Sequence, residues 1–279
     1  MAELLVSTRL EEFAVPPGDP GWFGPGSIAW QVHADLGSML VGGMAALLLQ
    51  TLHPLVVQGV ADHSTYRDDP FGRLQRTAEF IAATTYGGDE LASALVRRVR
   101  SIHALVRGTT PDYRQYRAQD PELLGYVHVT EVWCFLAAYQ RYAGHPLLTA
   151  EKNRYLAEMS VVAERLGSGE VPVTTREVRQ YFRAVRPDLA RSHAARETIG
   201  YLLKSPIAGT FLERSAYTTI CEAAIDLLPG WARARLGLRR PTAVRIALVR
   251  PSAAVLATAL RFVVGGSPIL EVAQRRAAS

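Results

Sequence analysis

Lysine is almost missing from this chain of 279 residues: Lys152 and Lys204 are the only two, so the net charge of +5 is carried by arginine. The arginines are spread over many segments and no nucleic-acid reader motif accompanies them, so nucleic acid is not an expected partner. Cysteine is equally scarce. Cys134 and Cys221 each sit in an apolar stretch, which excludes a disulfide framework and reads as two core thiols in a reducing compartment. The opening MAELLVSTRLEEF carries acidic residues and lacks an apolar stretch followed by a small-residue cleavage site, so a cytoplasmic location is expected. The nucleophile elbow, the phosphate loop, the dinucleotide fingerprint and zinc-spaced Cys or His clusters are also missing, which removes the commonest enzyme classes.

From Leu36 to Ala61 the chain has no Asp, Glu, Lys or Arg. Length alone would allow a membrane span. Gln50, Thr51, His53, Pro54 and Gln58 argue instead for two buried helices meeting at His53-Pro54, because proline removes a helical hydrogen bond there. A second apolar segment, Ala253 to Val264, is interrupted by Arg261. The arginines at 233, 235, 239 and 240 lie close to it and suit a membrane surface or an anionic ligand.

Alternating strand-like runs are scarce, whereas apolar spacings of three and four predict helices over 71–86, 89–108, 121–143, 150–166, 174–184, 188–203, 207–228 and 252–264. The prolines and glycines of PPGDPGWFGPGS, residues 16–27, mark a loop, with Ser27 as a cap for the helix that follows. Asp120-Pro121 reads as a helix start, Thr174 with Glu177 as a capping box, and Thr149, with Lys152 three residues on, as a start without one. The expected fold is all-α, a single multi-helix domain over 1–279, with 1–26 and 268–279 as looser ends.

Three places could carry chemistry. Arg73, Arg76 and Thr77 recur at i, i+3 and i+4, so two guanidiniums and a hydroxyl share one helix face. They can converge on a carboxylate or an oxygen-rich ligand, or form a solvated face paired with Asp68, Asp69 or Glu79. His103 lies at the edge of an arc made by Leu91, Leu95, Val99, Ile102 and Val106, so its imidazole borders the core either as a packed residue or as a ligand. In YVHVTEVW, residues 126–133, Glu131 follows His128 by three positions and could orient it. Asp62 and His63 could supply an acid or base near a pocket.

In order along the chain, HPLVVQGVADHSTYRDDPFGRLQRTAEFIAATTYGG, then SIHALVRG, then YRAQDPELLGYVHVTEVWCFLAAYQRYAG resembles the oxygenase family that includes the bacterial latex-clearing (rubber) oxygenases and the fungal mpaB-type oxygenases. The likeness covers roughly residues 28–230. It implies an all-α fold enclosing a haem b, one histidine ligand to the iron, and oxygen-dependent chemistry on a small apolar organic molecule, with dioxygen or a peroxide as co-substrate. The helix that carries Arg73, Arg76 and Thr77 would line the distal side of the haem. Where rubber oxygenases carry a lysine that can cap the iron, this chain has Arg76, whose guanidinium stays protonated and is a poor ligand, so the distal site is expected to be open. The resemblance places the iron ligand at His103, with His128 as the second candidate. The glutamate base of rubber cleavage has no counterpart among Val56, Val57 and Gln58, which leaves Asp62 or His63 as the nearest replacement and argues against polymer cleavage. Alternatives are a haem-binding gas or redox sensor without turnover, and a metal-free helical protein that docks on membranes through Leu36–Ala61 or the C-terminal apolar helix.

Overall fold

Caps and prolines set most of the helix boundaries. The computed structural model describes residues 10–204, 209–239, 242–264 and 268–279. Its elements are α1 (Leu10–Phe13), α2 (Ile28–His33), α3 (Leu36–Gln50), α4 (Pro54–His63), α5 (Pro70–Tyr86), α6 (Asp89–Leu105), β1 (Arg107–Thr109), β2 (Gln115–Arg117), α7 (Pro121–Tyr142), α8 (Thr149–Leu166), α9 (Thr175–Val185), α10 (His193–Lys204), α11 (Phe211–Leu227), α12 (Gly230–Leu236), α13 (Ala243–Val264) and α14 (Pro268–Ala278). At 73% helix and 2% strand, the fold is all-α as the sequence predicts.

Local chemistry explains the helix starts. Ser27 Oγ accepts the Trp30 amide at 3.2 Å, and Asp120 Oδ1 accepts the Glu122 amide at 2.9 Å ahead of Pro121. Thr174 and Glu177 form the expected box, with the Glu177 amide donating to Thr174 Oγ1 and the Thr174 amide to Glu177 Oε2, both at 3.2 Å. The start of α8 differs by one residue from the sequence reading. Leu148 takes the cap position, and Glu151 accepts its amide at 2.7 Å, so a capping glutamate is present after all.

The centre of the core is α3 laid along α7. A Cβ on Gly42 would lie 2.9 Å from the Phe135 ring and 3.0 Å from the Cys134 carbonyl oxygen, so the absence of a side chain allows this close approach. The break at residues 51–53 bends α4 by 106° from α3. The pair is therefore two helices and not one straight span. Only α3 is deeply buried, whereas α4 buries little beyond Pro54 and Val57, which corrects the expectation of two buried helices.

Helices α5 and α6 are joined by Gly87-Gly88 and pack on each other as an antiparallel hairpin. Helix α6 ends at Leu105 and not at 108, because Arg107–Thr109 pairs with Gln115–Arg117 in a small antiparallel hairpin, with Gly108 opposite Tyr116. Helix α13 begins at Ala243, nine residues before the apolar run that announced it.

The C-terminal segment 268–279, expected to be loose, is the packed helix α14. Its Arg276 is buried and donates from Nε to the Asp19 carbonyl at 2.8 Å and from Nη1 to the Phe13 carbonyl at 2.9 Å. This clamps the Pro/Gly loop and α1, where Phe13 packs with Trp30, Tyr86, Ile269 and Ala273. Of the other expected loose end, residues 1–9 lie outside the described residues, as do 207–208 of the predicted helix and Arg240.

Candidate active site

Antiparallel packing sets the start of α5 beside the end of α6. That end of the hairpin shows apolar side chains to the outside: Phe71, Leu74, Ile102 and Leu105 are exposed, from 39% for Leu74 to 78% for Leu105. Arg73, Thr77 and His103 lie among them in sequence and are each partly buried. The Arg73 guanidinium donates to Thr77 Oγ1, and that hydroxyl donates in turn to the Arg73 carbonyl at 2.9 Å, so Thr77 fixes the arginine against its own helix. Burial lowers the His103 imidazole below its ordinary 6.5 and the Arg73 cation lowers it further. His103 is thus a neutral imidazole near neutral pH, and its ring makes no hydrogen bond among the described residues, while its carbonyl accepts the Val106 amide at 3.2 Å.

Glu131 of α7 completes this group. Burial raises its carboxyl to about 7, with the Arg73 cation pulling the other way. Arg73 is itself lowered by burial and by Arg76, and raised by Glu131. Glu131 is partly exposed at its surface, beside the buried side of Arg73. Behind it, Tyr155 and His33 form a polar string: His33 Nε2 lies 3.0 Å from the Tyr155 hydroxyl and His33 Nδ1 2.8 Å from Thr85 Oγ1. Burial drives His33 down to about 3, and burial together with Glu131 and Glu158 raises Tyr155 well above its ordinary value.

The remaining predicted site residues stand apart. Arg76 is exposed and turned to the rim, with Nη1 3.3 Å from Asp69 Oδ2 and Nη2 3.2 Å from Thr65 Oγ1. Asp62 accepts the Tyr116 hydroxyl at 2.6 Å and the Gln58 amide at 2.8 Å, and His63 Nε2 lies 3.2 Å from the Arg107 carbonyl. Asp62 and His63 therefore fasten α4 to the β-hairpin, and the structure gives them no contact with Arg73 or His103. His128 is buried, lowered by desolvation to about 4, and its ring has no hydrogen bond to Glu131 or to any other described residue. Glu131 thus does not orient His128. The sequence reading treated it only as an accessory to that histidine and missed it as a titrating group. Its position one turn from His128 on a buried helix was the available signal.

Among the described residues, no group of three or more His, Cys, Asp or Glu side chains is placed to hold a metal ion.

In this all-α domain Arg73 stands within electrostatic reach of both His103 and Glu131. The family model described as the ER-bound oxygenase mpaB/B'/Rubber oxygenase catalytic domain matches residues 30–262, and the chain belongs to this family. The match reaches well beyond the 28–230 of the sequence likeness and takes in α12 and most of α13. The chain is therefore an enzyme of an oxygenase family. No curated protein and no solved structure matches it.

Proposed function

We propose that the protein is a haem b-dependent oxygenase that acts with dioxygen or a peroxide on a small apolar organic molecule, with His103 as the protein ligand to the iron. One observation carries the reading: the open end of the α5–α6 hairpin combines a neutral imidazole that has no partner with an inward arginine and four exposed apolar side chains. A flat, mostly apolar macrocycle with acidic substituents fits that donor set. When bound, haem supplies the redox chemistry toward oxygen.

The chain's own residues have separable tasks. His103 offers a neutral nitrogen to a ligand and is the better placed of the two candidates, because His128 is closed in while His103 is partly open. Arg73, fixed by Thr77, is available to donate hydrogen bonds to an anionic or oxygen-rich group beside His103. Glu131 holds or releases one proton near neutral pH, the property a general acid or base needs. Arg76 at the exposed edge, paired with Asp69 and Thr65, suits a propionate carboxylate, and the distal donor expected of it is better assigned to Arg73. Asp62 and His63 have structural tasks in this scheme.

The test is an absorption spectrum of the purified protein with a pyridine haemochrome assay, followed by oxygen uptake with unsaturated apolar substrates. Arg73→Ala is expected to retain haem and to slow oxygen uptake at least about tenfold, the scale of one lost charge-assisted hydrogen bond. A protein without a haem spectrum after reconstitution, or an Arg73→Ala variant with full turnover, would overturn the assignment.

A further inference from the structure

Helix α13 has one face packed and one face bare. Val249, Ala253 and Ala257 are buried. A Cβ on Gly37 of α3 would lie 2.4 Å from the Ala257 Cβ, so the two helices touch almost backbone to backbone. Arg250 Nε is 2.8 Å from the buried Asp226 carboxylate, which Arg141 of α7 also reaches at 2.9 Å, and Arg245 pairs with Glu222. These contacts bind α13 along its length to α3, α7 and α11, so it cannot cross a bilayer without leaving the fold.

The opposite face is apolar and uncovered. Val244, Leu248 and Val255, between 66% and 71% exposed, follow one another with Pro251 at spacings of four, three and four, which is a single helical stripe. Over Ala243–Leu260 the mean hydropathy is 1.5. In the sequence every charged residue between Asp226 and Glu271 is an arginine, and Arg245 and Arg250 beside the stripe stay largely exposed while they pair with Glu222 and Asp226 of α11.

We propose that this face of α13 seats the protein on the surface of an anionic bilayer, with the helix lying in the interfacial plane. A stripe of aliphatic side chains flanked by arginines and free of acidic residues is the pattern of an interfacial helix, in which apolar burial and attraction to lipid phosphates act together. A second copy of the chain is a poorer occupant, because it would set the same arginine-rich, acid-free segment against itself. Of the two membrane-docking segments considered from sequence, Leu36–Ala61 has its first helix packed against α7, and α13 has the longer bare apolar face. The inference does not depend on the cofactor.

The full-length protein is sedimented with vesicles of phosphatidylcholine alone and of phosphatidylcholine with phosphatidylglycerol. Sedimentation is expected with the anionic vesicles only, and raised salt should weaken it. Leu248→Glu and Val255→Glu are each expected to lower binding by roughly tenfold or more, since losing one inserted aliphatic side chain is worth about that factor. Both side chains are exposed, so the unfolding transition should not move. The proposal is overturned if the protein does not sediment with either vesicle, or if both variants bind like the parent. It is also overturned if the protein self-associates in sizing experiments and the two substitutions abolish that association while sparing vesicle binding.

Discussion

Replacing Glu131 by glutamine should make the protein more stable in mild base while leaving it unchanged in acid. In the folded protein the carboxyl titrates at about 7 against an ordinary 4.5. Between these two values the folded state holds a proton that the unfolded chain has lost, so stability falls as pH rises through that window and levels off above the upper value. A difference of this size corresponds to roughly 3 kcal/mol at about 1.4 kcal/mol per unit, and the partial exposure of Glu131 trims it to about 2 kcal/mol. Glutamine keeps the shape and cannot ionise. Urea unfolding followed by circular dichroism at about pH 4.5 and about pH 8 gives the comparison directly. The variant should match the parent in acid and exceed it by about 2 kcal/mol in base. If parent and variant lose stability in parallel across this range, Glu131 is an ordinary solvated carboxylate and its burial beside Arg73 does not desolvate it.

Other outcomes follow from the packing. His33 is held neutral by burial, its imidazole lowered from 6.5 to about 3, so it contributes stability above its unfolded value that is lost as pH falls through that interval. His33→Gln should flatten the acid limb of the urea midpoint by up to one proton, about 1.4 kcal/mol per pH unit, and an unchanged limb would refute the burial argument. Asp226→Ala leaves the guanidiniums of Arg141 and Arg250 without their shared carboxylate and should cost about 3 kcal/mol in urea unfolding; a cost under about 1 kcal/mol would show that the pair behaves like a surface bridge.

Much of the helical framework was legible because its signals are local. Pro54, Pro70, Pro121 and the Thr174–Glu177 box mark ends that the backbone must respect, and the apolar repeats between them have helical spacing. The hydrophobic arc of α6 was less informative. Large residues at 91, 95, 99, 102 and 106 suggested the inner face, whereas the closest packing is made by Ala92 and Val96, and Ile102 is left exposed. Small side chains allow close helix contact, and large ones at the open end of the hairpin await a different occupant. Asp62 and His63 show a further limit. Nothing in their spacing announces that Tyr116, more than fifty residues on, takes the carboxylate. The burial of Arg276 was also hidden, since its partners are carbonyl groups at the other end of the chain.

The single most direct measurement of the site assignment is haem retention in two variants. With His103 as the ligand, His103→Ala should purify with little or no Soret absorbance and regain none on adding haem, while His128→Ala should keep the parent's spectrum and haem content by pyridine haemochrome. Retention in His103→Ala with loss in His128→Ala would move the ligand to α7 and contradict the assignment, and equal retention in both would remove the α5–α6 hairpin from haem binding.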